Sequence, residues 1–272
     1  MSWDTFVMVD WSGGNDRGAS PAADAIWVGV NRGDQSEDPL YFRNRQVFTA
    51  WITAFIDAEL IAGRRAMIGF DFPFGYPAGF GKHLIGTDDP LALWQWFHER
   101  VEDAPKANNR FDIAGQINGT LPGIGPFWAN GLKREIPNLP RKGLARTANP
   151  FPERRAVEHL AKGSFTCWQL AGAGAVGSQT IMGLPVLQTL RATFPNKISV
   201  WPFEPLTNPI SFVEIWPTLY AGPAPAHWIK DAHQVYTTAW TLAQMSLTPT
   251  HANLQITAPV EGWILGVRSP EI

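Results

Sequence analysis

The stretch Thr5-Phe6-Val7-Met8-Val9-Asp10 decides the fold. Its apolar run is unbroken and stops on a carboxylate. A strand with one wet face alternates apolar and polar residues, so an unbroken run predicts a strand buried on both faces, as at the centre of an α/β sheet. Ala66-Met67-Ile68-Gly69-Phe70-Asp71 repeats the design, again ending on an acid. Between them, Gln46–Ala62 places Val47, Trp51, Ile52, Phe55, Ile56 and Leu60 on one helical face, with Gly63 as the stop. A helix joining two buried strands is a crossover and predicts that they pair in parallel.

Working outward, Ala25–Val30 and Leu40–Arg43 predict two more strands, separated by turn-rich loops at Trp11–Gly18 and Asn31–Asp34. With the first strand they form an antiparallel meander. Ser178–Phe194 reads as a helix, with Pro185 as a kink or first turn. Ile198–Phe203 and Ile210–Trp216 predict further strands, Asp231–Met245 a helix opening on an acid, and Glu261–Val267 a closing edge strand. The expected architecture is a single α/β domain over residues 1–272. Its mixed sheet combines a three-strand antiparallel meander with parallel strands, flanked by helices. Residues 76–196, after the fourth strand, form a glycine- and proline-rich basic insertion with short helices near Pro90–Val101 and Glu153–Leu160.

The composition excludes several classes. Apolar residues at 45% and charged residues at 17% argue against disorder, and a net charge of -2 gives the whole molecule no pull toward polyanions. One cysteine, Cys167, excludes an internal disulfide and any cysteine-based metal centre within the chain, and its apolar neighbours predict a buried thiol. No apolar run approaches the length of a membrane span and no signal-peptide pattern opens the chain, so the expected location is cytoplasmic, away from membranes. The thirteen tryptophans are expected mainly as core anchors. Charge is local: residues 130–165 hold Lys133, Arg134, Arg141, Lys142, Arg146, Arg154, Arg155 and Lys162 against Glu135, Glu153 and Glu158.

Three apolar runs end on or near a carboxylate, at Asp10, Asp71 and Glu214, and Asp231 opens a helix. Ligands of open α/β sheets bind beyond the carboxyl ends of strands. Carboxylates gathered there repel one another unless a cation intervenes, and hard ions such as Mg²⁺ take oxygen ligands. The four acids are therefore the candidate catalytic and metal-holding set, with Mg²⁺ or Mn²⁺ as the expected ion.

Five short segments in order carry a resemblance: Val9-Asp10-Trp11-Ser12-Gly13-Gly14-Asn15, Ile68-Gly69-Phe70-Asp71-Phe72-Pro73-Phe74-Gly75, Glu214-Ile215-Trp216-Pro217-Thr218, Asp231-Ala232 and Glu261-Gly262-Trp263-Ile264. Together with the element order they resemble a family of predicted nucleases with the ribonuclease H-like fold. The likeness covers residues 5–75 and 195–267. It implies metal-dependent hydrolysis of a phosphodiester, with Asp10 and Asp71 as the fold's usual acids and Glu214 and Asp231 completing the set. The expected partner is nucleic acid or a nucleotide. Ser12, Gly13, Gly14 and Asn15 would then approach the substrate, while Lys133, Arg134 and Arg141 would neutralise its phosphates.

Two other readings fit the residues. Asp10-Trp11-Ser12-Gly13-Gly14 also suits an ATP-binding phosphotransferase of the actin and sugar-kinase type, although 272 residues leave little room for the second domain such proteins use. A non-catalytic ligand-binding protein on the same fold is the third, since fold does not fix function.

Overall fold

The computed structural model describes residues 2–245 and 254–269. The meander is built from β1 (Thr5–Asp10), β2 (Ile26–Arg32), a two-residue β3 (Gln35–Ser36) and β4 (Leu40–Phe42). β2 runs antiparallel to β1, and β3 and β4 both pair antiparallel with β2. Helix α1 (Arg45–Ile61) then crosses over to β5 (Ala66–Phe70), which pairs in parallel with β1. Asn44 caps α1, its side-chain oxygen accepting from Val47 N at 2.9 Å. The helix ends where Gly63 turns to φ 67°.

Beyond β5 come α2 (Phe80–Ile85), α3 (Pro90–His98), a small hairpin of β6 (Asp103–Ala104) and β7 (Ala107–Asn108), α4 (Arg110–Asn118), α5 (Ala156–Leu160) and α6 (Gly177–Thr193). Two parallel strands, β8 (Ile198–Val200) and β9 (Ile210–Glu214), and helix α7 (Lys230–Met245) complete the fold. The seven-strand sheet runs β3-β2-β1-β5-β9-β8, with β4 also on β2. The chain is thus a mixed α/β protein whose antiparallel and parallel strands are flanked by helices.

Strand pleating sorts the core into two layers. Val7, Val9, Ile68, Phe70, Ile210 and Phe212 pack with Phe48, Ile52, Ile56, Leu184 and Leu187 from α1 and α6. The alternate residues Phe6, Met8, Met67 and Val213 pack with Val235, Ala239 and Leu242 of α7. This is the period-two alternation of a sheet covered on both faces. The insertion is continuous with the first layer: Trp94, Phe97, Phe111, Phe127 and Trp168 belong to the same buried cluster as Val7 and Phe70. Its proline and glycine content reflects irregular backbone around a shared core. Cys167 is free and buried. Among the described residues, no helix is long and apolar enough to cross a membrane.

The closing strand expected at Glu261–Val267 reduces to a single bridge between Glu214 and Ile264. Gly262 and Gly266 stand at φ 78° and 90°, left-handed positions that break an extended run at both ends.

Gly29 sets the position of α7. A Cβ there would lie 2.3 Å from the Val235 carbonyl oxygen, so only glycine lets the helix rest on β2. Gly29→Ala is expected to destabilise the fold by about 3 kcal/mol, the upper range for overpacking, because backbone must move. Its urea midpoint checks this.

Candidate active site at the acidic strand ends

Asp10 and Asp71 are brought together by register. β1 and β5 pair with Val9 opposite Phe70, and the Asp71 amide donates to the Val9 carbonyl at 2.9 Å. The next residues on the two strands, Asp10 and Asp71, therefore stand side by side, both on the α7 face by pleat parity. Asp231 in the first turn of α7 and Lys230 before it close the same side. All four residues line a cleft of about 250 Å³ with Gln179, Trp216 and Phe165.

The electrostatics of this corner are unfavourable to charge. Burial, then repulsion from Asp71 and Asp231, pushes the Asp10 carboxyl well above its usual range, against the opposing pull of Lys230. Asp71 is pushed up to about 7 by burial first, then by Glu214 and Asp231. Among the described residues, neither carboxylate accepts a hydrogen bond or an ion pair. Asp231 is tied differently, accepting from the Asp24 amide at 2.8 Å.

Glu214 departs from the expected set. It lies opposite Phe70 in the β5–β9 register, so its pleat parity differs from that of Asp10 and Asp71, although it lines the same cleft. There it is buried, and Arg155 takes both oxygens, Nη1 to Oε2 at 2.8 Å and Nη2 to Oε1 at 2.5 Å. Phe74 N adds a third bond at 3.0 Å. Arg155 also holds Glu158 at 2.9 Å and the Glu261 carbonyl at 3.0 Å. Glu214 is thus one arm of a buried Glu158–Arg155–Glu214 ion set at the edge of the cleft. A glutamate inside an apolar strand requires a buried cation. That was the available signal, and the basic insertion was where to look.

The other expected contacts divide. Ser12, Gly13 and Gly14 line a second cavity beside the cleft. Asn15 instead spans to the Lys106 carbonyl at 3.0 Å and to Asn108 at 2.8 Å. A Cβ on Gly13 would sit 2.7 Å from the Ser178 backbone carbon, so that glycine is explained by contact with the start of α6. Lys133, Arg134 and Arg141 do not line the acidic cleft. Arg134 is bidentate to Asp112, and Arg141 binds Glu135 and the Leu132 and Lys133 carbonyls. With Arg146 on Glu153 and Arg155 buried, the local excess of positive charge largely serves to pin the insertion.

Among the described residues, no group of three or more His, Cys, Asp or Glu side chains stands ready to hold a metal ion. Glu214 and Asp231 line the cleft with Asp10 and Asp71, but each of the two is already tied to a partner. What remains is a pair, Asp10 and Asp71, raised in pKa and without partners. Such a pair fits an ion like Mg²⁺, which keeps several waters and uses one or two protein carboxylates with substrate oxygens.

No protein-family model, curated protein or solved structure matches the chain.

Proposed function

We propose that this protein is a divalent-metal-dependent hydrolase of phosphodiester bonds on a ribonuclease H-like fold. The observation that carries the reading is the pair of unpartnered carboxylates, Asp10 and Asp71, at the ends of adjacent parallel strands in an open cleft. The strand order supports it: an antiparallel meander, a helical crossover, then parallel strands and an acid-bearing helix. Asp10 and Asp71 would hold Mg²⁺ or Mn²⁺, which neutralises phosphoryl oxygens and acidifies the attacking water. Asp231 and Lys230 flank the pair and tune its charge. Trp216 and Phe165 on the cleft wall offer faces on which unpaired bases stack. The phosphotransferase alternative draws on the Ser12–Gly14 loop, but Gly13 there is packed against protein.

Single-stranded DNA, RNA and ATP, each with Mg²⁺ or Mn²⁺, are the test substrates for the wild type and Asp10→Asn. Cleavage of a nucleic acid that needs the metal and falls at least about a thousandfold in Asp10→Asn is the expected result. ATP turnover without nucleolysis, or no turnover at all, would overturn the proposal.

A further inference from the structure

The second cavity, about 360 Å³, adjoins the acidic cleft and shares Asp10, Asp231 and Gln179 with it. Its wall carries two arginines, Arg17 and Arg110. Arg110 opens α4 and is partly buried. Its Nε donates to Ser178 Oγ at 2.9 Å and Nη1 to Asn108 Oδ1 at 2.6 Å. Both acceptors are neutral. Asp103, the carboxylate that attracts it, is already gripped by Arg45 at 2.7 and 2.6 Å. The guanidinium lies over the Phe111 ring, 4.4 Å from its centroid, and its second terminal nitrogen has no hydrogen-bond acceptor among the described residues. Burial, then repulsion from Arg45, pulls Arg110 down to about 10. On the open side, Arg17 is exposed, and among the described residues its side chain is held only by the Asp24 carbonyl at 3.1 Å and a loose 3.8 Å contact to the Asp24 carboxylate.

Shielded cations are ordinarily paired, and a guanidinium with spare donors matches a phosphate fork to fork. We infer that Arg110, helped by Arg17, forms a subsite for a second phosphate group, next along the strand from the one cut at Asp10 and Asp71. The inference rests on the hydrolase reading for the position of the cut. It assigns the substrate class: an oligonucleotide with at least two phosphates, in preference to a lone diester. The acids Asp10 and Asp231 on the same cavity repel a free anion, so the phosphate enters together with the divalent ion that neutralises them.

The test uses inorganic phosphate, titrated calorimetrically into the whole protein in Mg²⁺. The wild type is expected to bind it, Arg110→Gln to bind at least about tenfold more weakly, and Arg17→Gln about threefold more weakly. In parallel, kcat/KM is compared for a DNA trinucleotide and for bis(p-nitrophenyl) phosphate, which has one phosphate only. The ratio of the two is expected to fall about tenfold in Arg110→Gln, through KM. Phosphate binding equal in wild type and both variants overturns the subsite, even where hydrolysis is normal. Absence of hydrolysis with phosphate binding lost in Arg110→Gln overturns the hydrolase reading and sustains the subsite. Arg17 is exposed, so Arg17→Gln keeps the test decisive should Arg110→Gln fail to fold.

Discussion

Asp71→Asn is expected to abolish metal-dependent hydrolysis while making the protein more stable at about pH 8. The two effects share one cause. The Asp71 carboxyl is held up to about 7 by burial and by Glu214 and Asp231. A folded-state pKa above the unfolded one means that the folded chain binds the proton more tightly, so stability falls as pH rises from the unfolded pKa through the folded one. The rise from an ordinary 3.8 to about 7 corresponds to roughly 4 kcal/mol, which contact with water at the cleft roughly halves. Asparagine carries no charge at any pH. Asp71→Asn should therefore gain about 2 kcal/mol at about pH 8 and nothing at about pH 4, read as urea midpoints at both. The rate should fall about a thousandfold, since one of two carboxylates for the ion is gone. Loss of both stability and activity at about pH 8 would show that Asp71 is structural. Added Mn²⁺ should reverse the order, stabilising the wild type by mass action and leaving the variant unchanged.

Arg155→Met is expected to cost about 3–5 kcal/mol, the largest stability loss of any side chain considered. Arg155 is 1% exposed and neutralises Glu158 and Glu214, both buried. Methionine fills much of its volume but leaves two carboxylates uncompensated, and an unpaired buried charge is far costlier than the pair was favourable. The Glu261 carbonyl also loses its donor. Removing all three charges together, as Arg155→Met with Glu158→Gln and Glu214→Gln, should recover most of the loss. Urea unfolding of the single and triple variants measures it. A single variant as stable as the wild type would contradict the ion set described above.

The strand ends were legible because their signal is local. Unbroken apolar runs mark β1 and β5 wherever the rest of the chain goes, and the helix between them fixes the parallel pairing that makes Asp10 and Asp71 neighbours. Helices α1, α6 and α7 were legible within a few residues, from apolar spacing. Glu214 read as a fourth acid of the same kind because strand position is visible in sequence and pleat parity relative to a neighbouring strand is not. One residue of register separates a carboxylate facing α7 from one facing Arg155. The basic insertion hides its pairing for a related reason: charges summed along the chain do not show which are paired across space, and Arg134, Arg141, Arg146 and Arg155 all are. Short helices such as α2 and α4 lie where glycines interrupt the periodicity. Arg110 carried no sequence signal at all, since its interest lies in what fails to face it.

Asp10 and Asp71, and not Glu214, are the residues proposed to hold a catalytic divalent ion. Calorimetric titration of Mn²⁺ into the wild type, Asp10→Asn, Asp71→Asn and Glu214→Gln tests this assignment most directly. Binding to the wild type with release of protons is expected, as raised carboxyls give theirs up to the metal. Binding is expected to be lost in both aspartate variants and retained within about threefold in Glu214→Gln, since Arg155 occupies both oxygens of that side chain. No binding to the wild type at millimolar Mn²⁺, or binding lost in Glu214→Gln and kept in Asp71→Asn, would contradict the assignment.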